Sequence, residues 1–342
     1  MQNSFFLFFI FFNFSLYYFY KQISLIYNVF DFPDFKRKLH KKKIPLLGGL
    51  FIILNLFLIS LLNFFYMEIF NNNYFKNIES FFSFFFVSFF IYLLGFFDDK
   101  YKLKANSKLI ITTIILILAV YVDQDILLKN LNFNSINYNI NLLNYSYFFT
   151  IFCFLLFINA FNMLDGINGQ ASTYFLFILL IFLTKGILLF LILAFVITTS
   201  FFLFYNFKNK IFLGDSGSLL LAYIISYIFI KSYNLENKFS AEEIFLIMSV
   251  PGYELIRLAA TRLLNKKHPF NADNLHIHHL ILNNFVFFKT FFLIQFILIL
   301  PYTMYILINN FFISFFVSLI FYTLVVRYFY NKSSKKYSFN NL

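Results

Sequence analysis

The sequence predicts an all-α, polytopic membrane protein with about 11 transmembrane helices. Hydrophobic residues make up 61% of the 342 residues and charged residues only 12%, whereas soluble domains are roughly half apolar and a quarter charged. The apolar residues fall in runs long enough to cross a bilayer, which takes about 20 residues in a helix. Short polar connections separate the runs, with no soluble domain and no internal repeat, so we treat residues 1–342 as one integral membrane domain.

The chain begins with an apolar run, MQNSFFLFFIFFNFSLYYFY, which we interpret as a retained first span. It is too long for the hydrophobic region of a signal peptide, and it lacks a basic start and a small-residue cleavage site. Further runs follow, of which the fourth, sixth and eighth in the chain are short. The eleven runs lie near residues 4–27, 46–68, 78–97, 107–122, 146–162, 171–184, 186–206, 217–232, 241–260, 287–308 and 311–330.

The basic residues indicate how the spans are oriented. Alternate connections, together with the C-terminal tail, hold 22 of the 27 Lys and Arg residues. Because basic loops stay in the cytoplasm, this pattern predicts an outside N-terminus and a cytoplasmic C-terminus. All five His and eight of the 15 acidic residues fall on the cytoplasmic side, which therefore carries the groups for chemistry. On the opposite side, apolar and polar residues alternate around Asn-Ser within 125–144, which predicts a small extracellular hairpin.

Composition also excludes some classes of function. With a single cysteine, Cys153, the chain cannot form an internal disulfide or a Cys-based zinc site. The net charge of +12 could suggest nucleic acid. However, the charges lie in short loops between spans, where membrane orientation explains them.

Three carboxylates follow or precede spans in two short polar stretches. LGFFDDKYKLKANSK, at 94–108, carries adjacent Asp98 and Asp99 followed by lysines, including Lys108. Adjacent carboxylates repel one another unless a cation or a proton is shared, and hard oxygen ligands beside lysines suit Mg²⁺ and a phosphate. FLGDSGSLLLA, at 212–222, places Asp215 between two glycines at the start of a span. The alternatives are a solvated turn for the first stretch and a simple helix cap for the second.

The fifth span ends in a polar, glycine-containing turn, FINAFNMLDGINGQAS, at 157–172. Steps of three place Asn159, Asn162 and Asp165 near one face if the helix continues that far. The glycines of this turn let the backbone approach a ligand, and the free N–H groups of the next span could hold an anion. The alternative is an ordinary Asn/Gly turn between two helices.

A histidine-rich loop, NKKHPFNADNLHIHHLIL, occupies 265–282. Its H-x-H-H order lacks the spacing of catalytic zinc motifs, so we expect His276, His278 and His279 to hold phosphate oxygens. Arg257 and Arg262 precede the loop and are natural phosphate partners. The alternative for Arg257 is a pair with Glu254 at the end of the helix.

These motifs resemble those of the polyprenyl-phosphate N-acetylhexosamine-1-phosphate transferases, that is, glycosyltransferase family 4. The family includes enzymes that begin O-antigen and teichoic-acid synthesis, and the phospho-MurNAc-pentapeptide translocase. The H-x-H-H ending is more similar to the GlcNAc-type transferases. The matching motifs are D-x-P-x-x-R-K-x-H with P and GG (Asp31, Pro33, Arg37, Lys38, His40, Pro45, Gly48, Gly49), G-x-x-D-D-x-x-x-L (Gly95 to Leu103), N-A-x-N-x-x-D-G (Asn159 to Gly166), G-D-x-G-S (Gly214 to Ser218) and P-F-x-x-D-x-x-H-x-H-H (Pro269 to His279).

The resemblance implies an enzyme of the bacterial cytoplasmic membrane whose active site, in loops within 28–286, faces the cytoplasm. It implies transfer of a sugar 1-phosphate from a UDP-sugar to undecaprenyl phosphate, with release of UMP, in the presence of Mg²⁺ or Mn²⁺. It also admits a homodimer and phospho-MurNAc-pentapeptide as an alternative substrate. A transporter of an anionic solute and a catalytically inactive scaffold are the rival interpretations, although transporters place ionisable groups near the bilayer midplane, on repeats.

The resemblance also implies roles for single residues. The expected catalytic carboxylates are Asp98, Asp99 and Asp165, with Asp98 as base or nucleophile. Asp215 and Asp99 are expected to bind the metal. Two positions depart from the family pattern, since many members have Asp at 168 and Arg at 274, where this chain has Asn. The residues expected to bind substrate are Lys108, Asn159, Asn162, Asn168, Arg257, Arg262, His276, His278 and His279.

Overall fold

The structure, a computed structural model, describes residues 2–33, 42–66, 74–75, 78–269, 273 and 275–339. Helices dominate it. Two short pairs of strands accompany them: β1 (Phe30–Asp31) with β2 (Ile44–Pro45), and β3 (Asn130–Phe133) with β4 (Tyr138–Asn141). The helices are α1 (Gln2–Tyr18), α2 (Tyr20–Tyr27), α3 (Gly48–Tyr66), α4 (Ile78–Tyr101), α5 (Ala105–Val122), α6 (Ser146–Asn162), α7 (Gln170–Thr184), α8 (Leu189–Asn206), α9 (Gly214–Glu236), α10 (Ala241–Leu264), α11 (Ile277–Leu282), α12 (Phe287–Ile308) and α13 (Phe311–Phe339).

The helices confirm the predicted class of an all-α, polytopic membrane protein. Among the described residues, eight helices are long and apolar enough to cross a bilayer, namely α4, α5, α6, α8, α9, α10, α12 and α13. Shorter apolar helices cover Phe5–Tyr18, Gly48–Leu62 and Gln170–Thr184. These helices coincide with the eleven apolar runs of the sequence. The orientation of the spans stays a prediction.

The described chain forms two compact units, and the first consists of Met1–Asn130 and Asn141–Lys238. Its centre is α9, which packs against α3, α4 and α6 and is almost completely buried. Glycines permit this approach: a Cβ on Gly95 of α4 would collide with the backbone of Ser216, and one on Gly49 of α3 would lie 2.6 Å from the backbone N of Gly217. The start of α9 is therefore held between the backbones of two neighbouring helices, as small residues allow in membrane proteins.

The first strand pair lies beside the segment that leads into α9. β1 and β2 are antiparallel, with Phe30 opposite Pro45. The Phe212 N–H donates to the Pro45 carbonyl, and the Gly48 N–H donates to the Phe212 carbonyl, each at 3.0 Å. The end of the first basic loop is thus tied to the approach to Asp215. Residues 34–41, with Arg37, Lys38 and His40 of the basic motif, lie outside the described residues.

An ion pair is buried at the other end of α9. Lys231 Nζ lies 2.9 Å from Asp123 Oδ2, and the two side chains are 0% and 2% exposed. The Tyr227 hydroxyl donates to the same carboxylate oxygen at 2.5 Å, and Lys231 also donates to Tyr227 at 2.9 Å. Because a buried charge is costly unless it is paired, this cluster links the end of α5 to α9 only while both partners are present.

The second unit consists of Leu131–Ile140 and Phe239–Leu342. In it, α10 packs against α12 and α13, and α11 packs against the same two helices. The predicted hairpin is confirmed: β3 and β4 pair, and a turn at Asn134–Ile136 connects them. The backbone N–H groups of Asn134 and Ser135 each donate to the Glu242 carboxylate at 2.9 Å. Glu242 therefore fixes the hairpin turn to the first turn of α10.

Candidate functional site

A lysine joins two of the three predicted carboxylates in the first unit. Lys108 Nζ lies 2.6 Å from Asp98 Oδ2 and 2.9 Å from Asp215 Oδ2. The Asp98 side chain is only 10% exposed, whereas that of Asp215 is 39% exposed. The other Asp98 oxygen accepts the Leu103 N–H at 2.8 Å. One ammonium group thus offsets the repulsion between two carboxylates that come from helices far apart in the sequence.

Asp99 caps the helix that carries Asp215. Its Oδ1 accepts the Asp215 N–H at 2.8 Å and its Oδ2 accepts the Ser216 N–H at 3.0 Å. These are N–H groups of the first turn of α9, which lack partners within the helix. Gly214 has φ +72, and a Cβ there would lie 2.6 Å from Asp99 Oδ2. Asp99 thus fixes the start of α9 and with it the position of Asp215.

The dipoles of two helices explain why the acidic pair is tolerated at the end of α4. The dipole of a helix disfavours negative charge at its last turn and favours negative charge at its first turn. Asp99 meets the positive end of α9, and Asp98 meets the ammonium group of Lys108. The two neighbouring carboxylates therefore have different partners and different tasks.

The polar tip of the fifth span is only partly helical. α6 ends at Asn162, so the predicted common face does not extend to Asp165 as a helix. Asn162 accepts a hydrogen bond from Ser218 and forms another with Asp215. It therefore contacts the carboxylate cluster, by which we mean Asp98, Asp99, Lys108 and Asp215. Asn159 donates at 2.7 Å to the Leu155 carbonyl of its own helix.

Asp165 lies in the turn after α6, with an exposed side chain. The pKa of Asp165 is raised to about 8, because the surrounding protein desolvates it and the Asp215 and Asp99 carboxylates repel its charge. Asp165 is thus exposed and electrostatically coupled to Asp215 and Asp99. Asn168 lies in the same turn, but its amide donates at 2.6 Å to Asn209 Oδ1.

The second unit holds the histidine segment, which begins with an ion pair. Arg262 Nε lies 2.7 Å from Asp273 Oδ2, and Arg262 also donates to the Pro269 carbonyl at 2.6 Å. Burial by itself would raise the pKa of the Asp273 carboxyl. Hydrogen bonds from Arg262 and the Leu275 N–H outweigh this effect and lower the pKa below its ordinary value. Asn274, the second departure from the family pattern, lies outside the described residues.

Arg257 is held in a second cluster. It donates to both oxygens of Glu254 at 2.8 Å and to the Leu275 carbonyl at 2.7 Å. Glu254 also accepts the hydroxyl of Tyr322 and, at 2.8 Å, the Ile277 N–H. The two arginines that we expected to bind phosphate therefore have carboxylate and carbonyl partners within the protein.

The three histidines lie together at the start of α11. The ring centroids of His276 and His278 are 5.2 Å apart, and those of His278 and His279 are 4.4 Å apart. Burial lowers the pKa of His276 below its ordinary value and that of His278 well below it. Both imidazoles are therefore neutral near pH 7 and can act as hydrogen-bond donors or acceptors.

Sequence reasoning missed three members of these clusters. Ser218 belongs to the G-D-x-G-S motif, so its position could have indicated the bond to Asn162. Asn209 and Tyr322 carry no motif, and only tertiary structure brings them to Asn168 and Glu254.

The oxygen atoms of the carboxylate cluster fit a magnesium ion only if water and substrate supply most of its ligands. Within the described part of the chain, no group of three or more His, Cys, Asp or Glu side chains could hold a metal ion. Mg²⁺, however, commonly binds one or two carboxylates and completes its shell with water and substrate phosphates. Asp215 and Asp165 are both accessible to solvent and interact with one another electrostatically. Their chemistry suits this mode, whereas both oxygens of Asp99 already accept backbone N–H groups.

Comparisons with known proteins agree with the motifs. The profile of glycosyl transferase family 4 matches residues 81–233, a range that contains the whole carboxylate cluster. Over 267 residues the chain is 29% identical to a probable undecaprenyl-phosphate N-acetylglucosaminyl 1-phosphate transferase of Bacillus subtilis (strain 168), covering 76% of this chain and 71% of the relative.

Two further relatives carry a similar name. Undecaprenyl-phosphate alpha-N-acetylglucosaminyl 1-phosphate transferase of Thermotoga maritima is 29% identical over 250 residues, which is 73% of this chain and 71% of the relative. The protein of the same name from Escherichia coli (strain K12) is 25% identical over 275 residues, 77% of this chain and 70% of the relative. Together with the ordered motifs and the helical membrane fold, these matches support a relationship of the chain to glycosyl transferase family 4.

Proposed function

We propose that this protein transfers N-acetylglucosamine 1-phosphate from UDP-N-acetylglucosamine to undecaprenyl phosphate, releases UMP and thereby begins the synthesis of a cell-surface glycan. The names of the relatives support the acceptor and the sugar. The observation that carries the proposal is the Asp98–Lys108–Asp215 cluster at the start of α9. It combines a cation that can hold phosphate with carboxylates suited to proton transfer and metal binding.

The reaction needs little covalent chemistry from the protein. An oxygen of the lipid phosphate attacks the β-phosphorus of the nucleotide sugar, the bond from that phosphorus to the bridging oxygen breaks, and UMP leaves with the electron pair. Asp98 takes the last proton of the lipid phosphate when that proton is present. Lys108 holds a phosphate oxygen and offsets charge that develops at phosphorus. Asn162 orients Asp215, and the histidines hold the diphosphate or the sugar.

A divalent cation, Mg²⁺ or Mn²⁺, would supply charge neutralisation at the diphosphate when bound. Asp215 is its main protein ligand in this proposal, and Asp165 is exposed and interacts electrostatically with Asp215. Asp99, which was expected to bind metal as well, contributes mainly by fixing Asp215.

The site faces the cytoplasm in this proposal, within the bacterial cytoplasmic membrane, because nucleotide sugars are made there and the basic loops lie on the same side. A homodimer stays an untested expectation. Transfer of phospho-MurNAc-pentapeptide is not favoured, since the relatives are named for N-acetylglucosamine.

The test is a turnover assay with purified protein in detergent. Undecaprenyl phosphate would be incubated with UDP-N-acetylglucosamine, UDP-N-acetylgalactosamine or UDP-MurNAc-pentapeptide, with and without Mg²⁺, and UMP and the lipid product measured. We expect UMP only with UDP-N-acetylglucosamine, only with divalent cation, and at least about a hundredfold less with Lys108→Met. Asp125→Asn is a control for a charge change elsewhere, because this acid lies near the other end of α9 and should leave turnover unchanged. Parental turnover by Lys108→Met would contradict the proposed site.

A further inference from the structure

Two charged side chains of α10 contact the backbone on both sides of His276. Arg257 donates to the Leu275 carbonyl at 2.7 Å, and Glu254 accepts the Ile277 N–H at 2.8 Å. The two side chains are themselves joined at 2.8 Å, and their positions in the helix differ by three residues. The backbone before and after His276 is therefore attached to one rigid ion pair.

The bonding capacity of this pair is largely used inside the protein. Glu254 is 2% exposed, and both of its oxygens accept from Arg257. Tyr322 adds a hydroxyl donor to Glu254, and Arg257 Nε lies 3.0 Å from the Tyr322 oxygen. A carboxylate this deeply buried is stable only with partners of this kind. Such a pair is better suited to hold a segment in place than to receive a ligand.

The segment held in this way could not keep its shape alone. α11 has six residues, whereas isolated helices shorter than about 12 residues are marginal in water. Its first N–H groups have no partners within the helix, and Glu254 supplies the partner for that of Ile277. The start of α11 thus depends on a side chain from α10.

We infer that Glu254 and Arg257 are positioning residues that clamp the peptide around His276 and so hold the three imidazoles ready for the sugar nucleotide. The inference rests on the proposed function in taking the sugar nucleotide as the ligand of the histidines. Holding these groups in place before binding avoids the entropy of ordering them when the donor arrives. Loss of the clamp therefore weakens use of the donor without altering use of the lipid acceptor.

Glu242 offers a matched control on the same helix. It is also a buried glutamate, 1% exposed, and it also accepts backbone N–H groups, those of Asn134 and Ser135 in the hairpin. Glu242→Gln and Glu254→Gln thus make the same chemical change, but in contact with different segments.

The experiment measures hydrogen–deuterium exchange and kinetics on full-length protein in detergent. We expect Glu254→Gln to speed exchange in the 275–282 peptide by about tenfold, as loss of a charge-assisted hydrogen bond implies. We also expect it to raise the donor KM by about tenfold, with the acceptor KM unchanged. Arg257→Lys serves as a second variant: it keeps the charge but loses the forked contact, and it should act in the same direction. Glu242→Gln should speed exchange only in the hairpin.

Parental exchange at 275–282 in both clamp variants would overturn the inference, as would an equal rise in donor KM with Glu242→Gln. If the parent released no UMP with any donor, the proposed function would fail, while the exchange data would still decide whether the clamp exists.

Discussion

Asp99 accepts the backbone N–H of Asp215 at 2.8 Å, although the two residues are 116 positions apart in the chain. The neighbouring Asp98 has a different partner, the ammonium group of Lys108 at 2.6 Å. Two adjacent carboxylates thus have different roles. Asp98 pairs with the Lys108 ammonium group, which can bind phosphate, and Asp99 fixes the helix from which Asp215 projects.

Amide substitutions should separate these two tasks. We expect Asp98→Asn to reduce kcat by about a hundredfold or more through loss of the base, with a melting temperature close to the parent's. Asp99→Asn should lower both kcat and stability, the latter by about 1 kcal/mol, because the cap of α9 is weakened. Turnover and thermal unfolding in the same detergent check both. Equal melting temperatures for the two variants would contradict the capping role of Asp99.

Gly95 should tolerate no larger side chain. A Cβ there would collide with the Ser216 backbone, so Gly95→Ala should displace the start of α9, lower turnover severalfold and cost about 1–3 kcal/mol. Gly252→Ala is the control, because a Cβ at that helical position meets nothing within 4 Å and alanine favours the helix by about 1 kcal/mol. We expect the control to be neutral or stabilising. Thermal unfolding and turnover measure the contrast.

The buried pair of Asp123 and Lys231 should matter for stability and not for chemistry. Lys231→Met leaves the Asp123 charge buried without its cation, which costs about 3–5 kcal/mol. Combining Lys231→Met with Asp123→Leu should recover most of the loss, because the apolar pair leaves no uncompensated charge. Thermal unfolding of the single and double variants is the measurement. A double variant no more stable than the single one would show that the ion pair has a further role.

Stability should fall as the solution becomes acidic, partly through His278. The pKa of this buried imidazole is lowered well below its ordinary value, so the unfolded chain binds the proton more readily than the folded protein. His278 therefore imposes no penalty above the unfolded pKa of about 6.5, and stability decreases as the pH falls below it. Melting temperatures from pH 8 to pH 5 should drop less for His278→Gln than for the parent. Identical pH dependence would contradict this assignment.

The sequence by itself determined the helical membrane class, because runs of apolar residues long enough to span a bilayer leave no other way to satisfy the backbone. It also indicated Asp98, Lys108, Asp215 and the histidine segment as candidate site residues, since charged groups beside such runs are costly and stand out from them. It did not reveal that α6 ends at Asn162, before Asp165, or that Arg262 pairs with Asp273. Local patterns cannot supply those facts, because a hydrogen bond depends on which groups packing brings within about 3 Å. Only the tertiary structure decided that Asp98 faces Lys108 while Asp99 caps α9, because the partners of both lie on other helices.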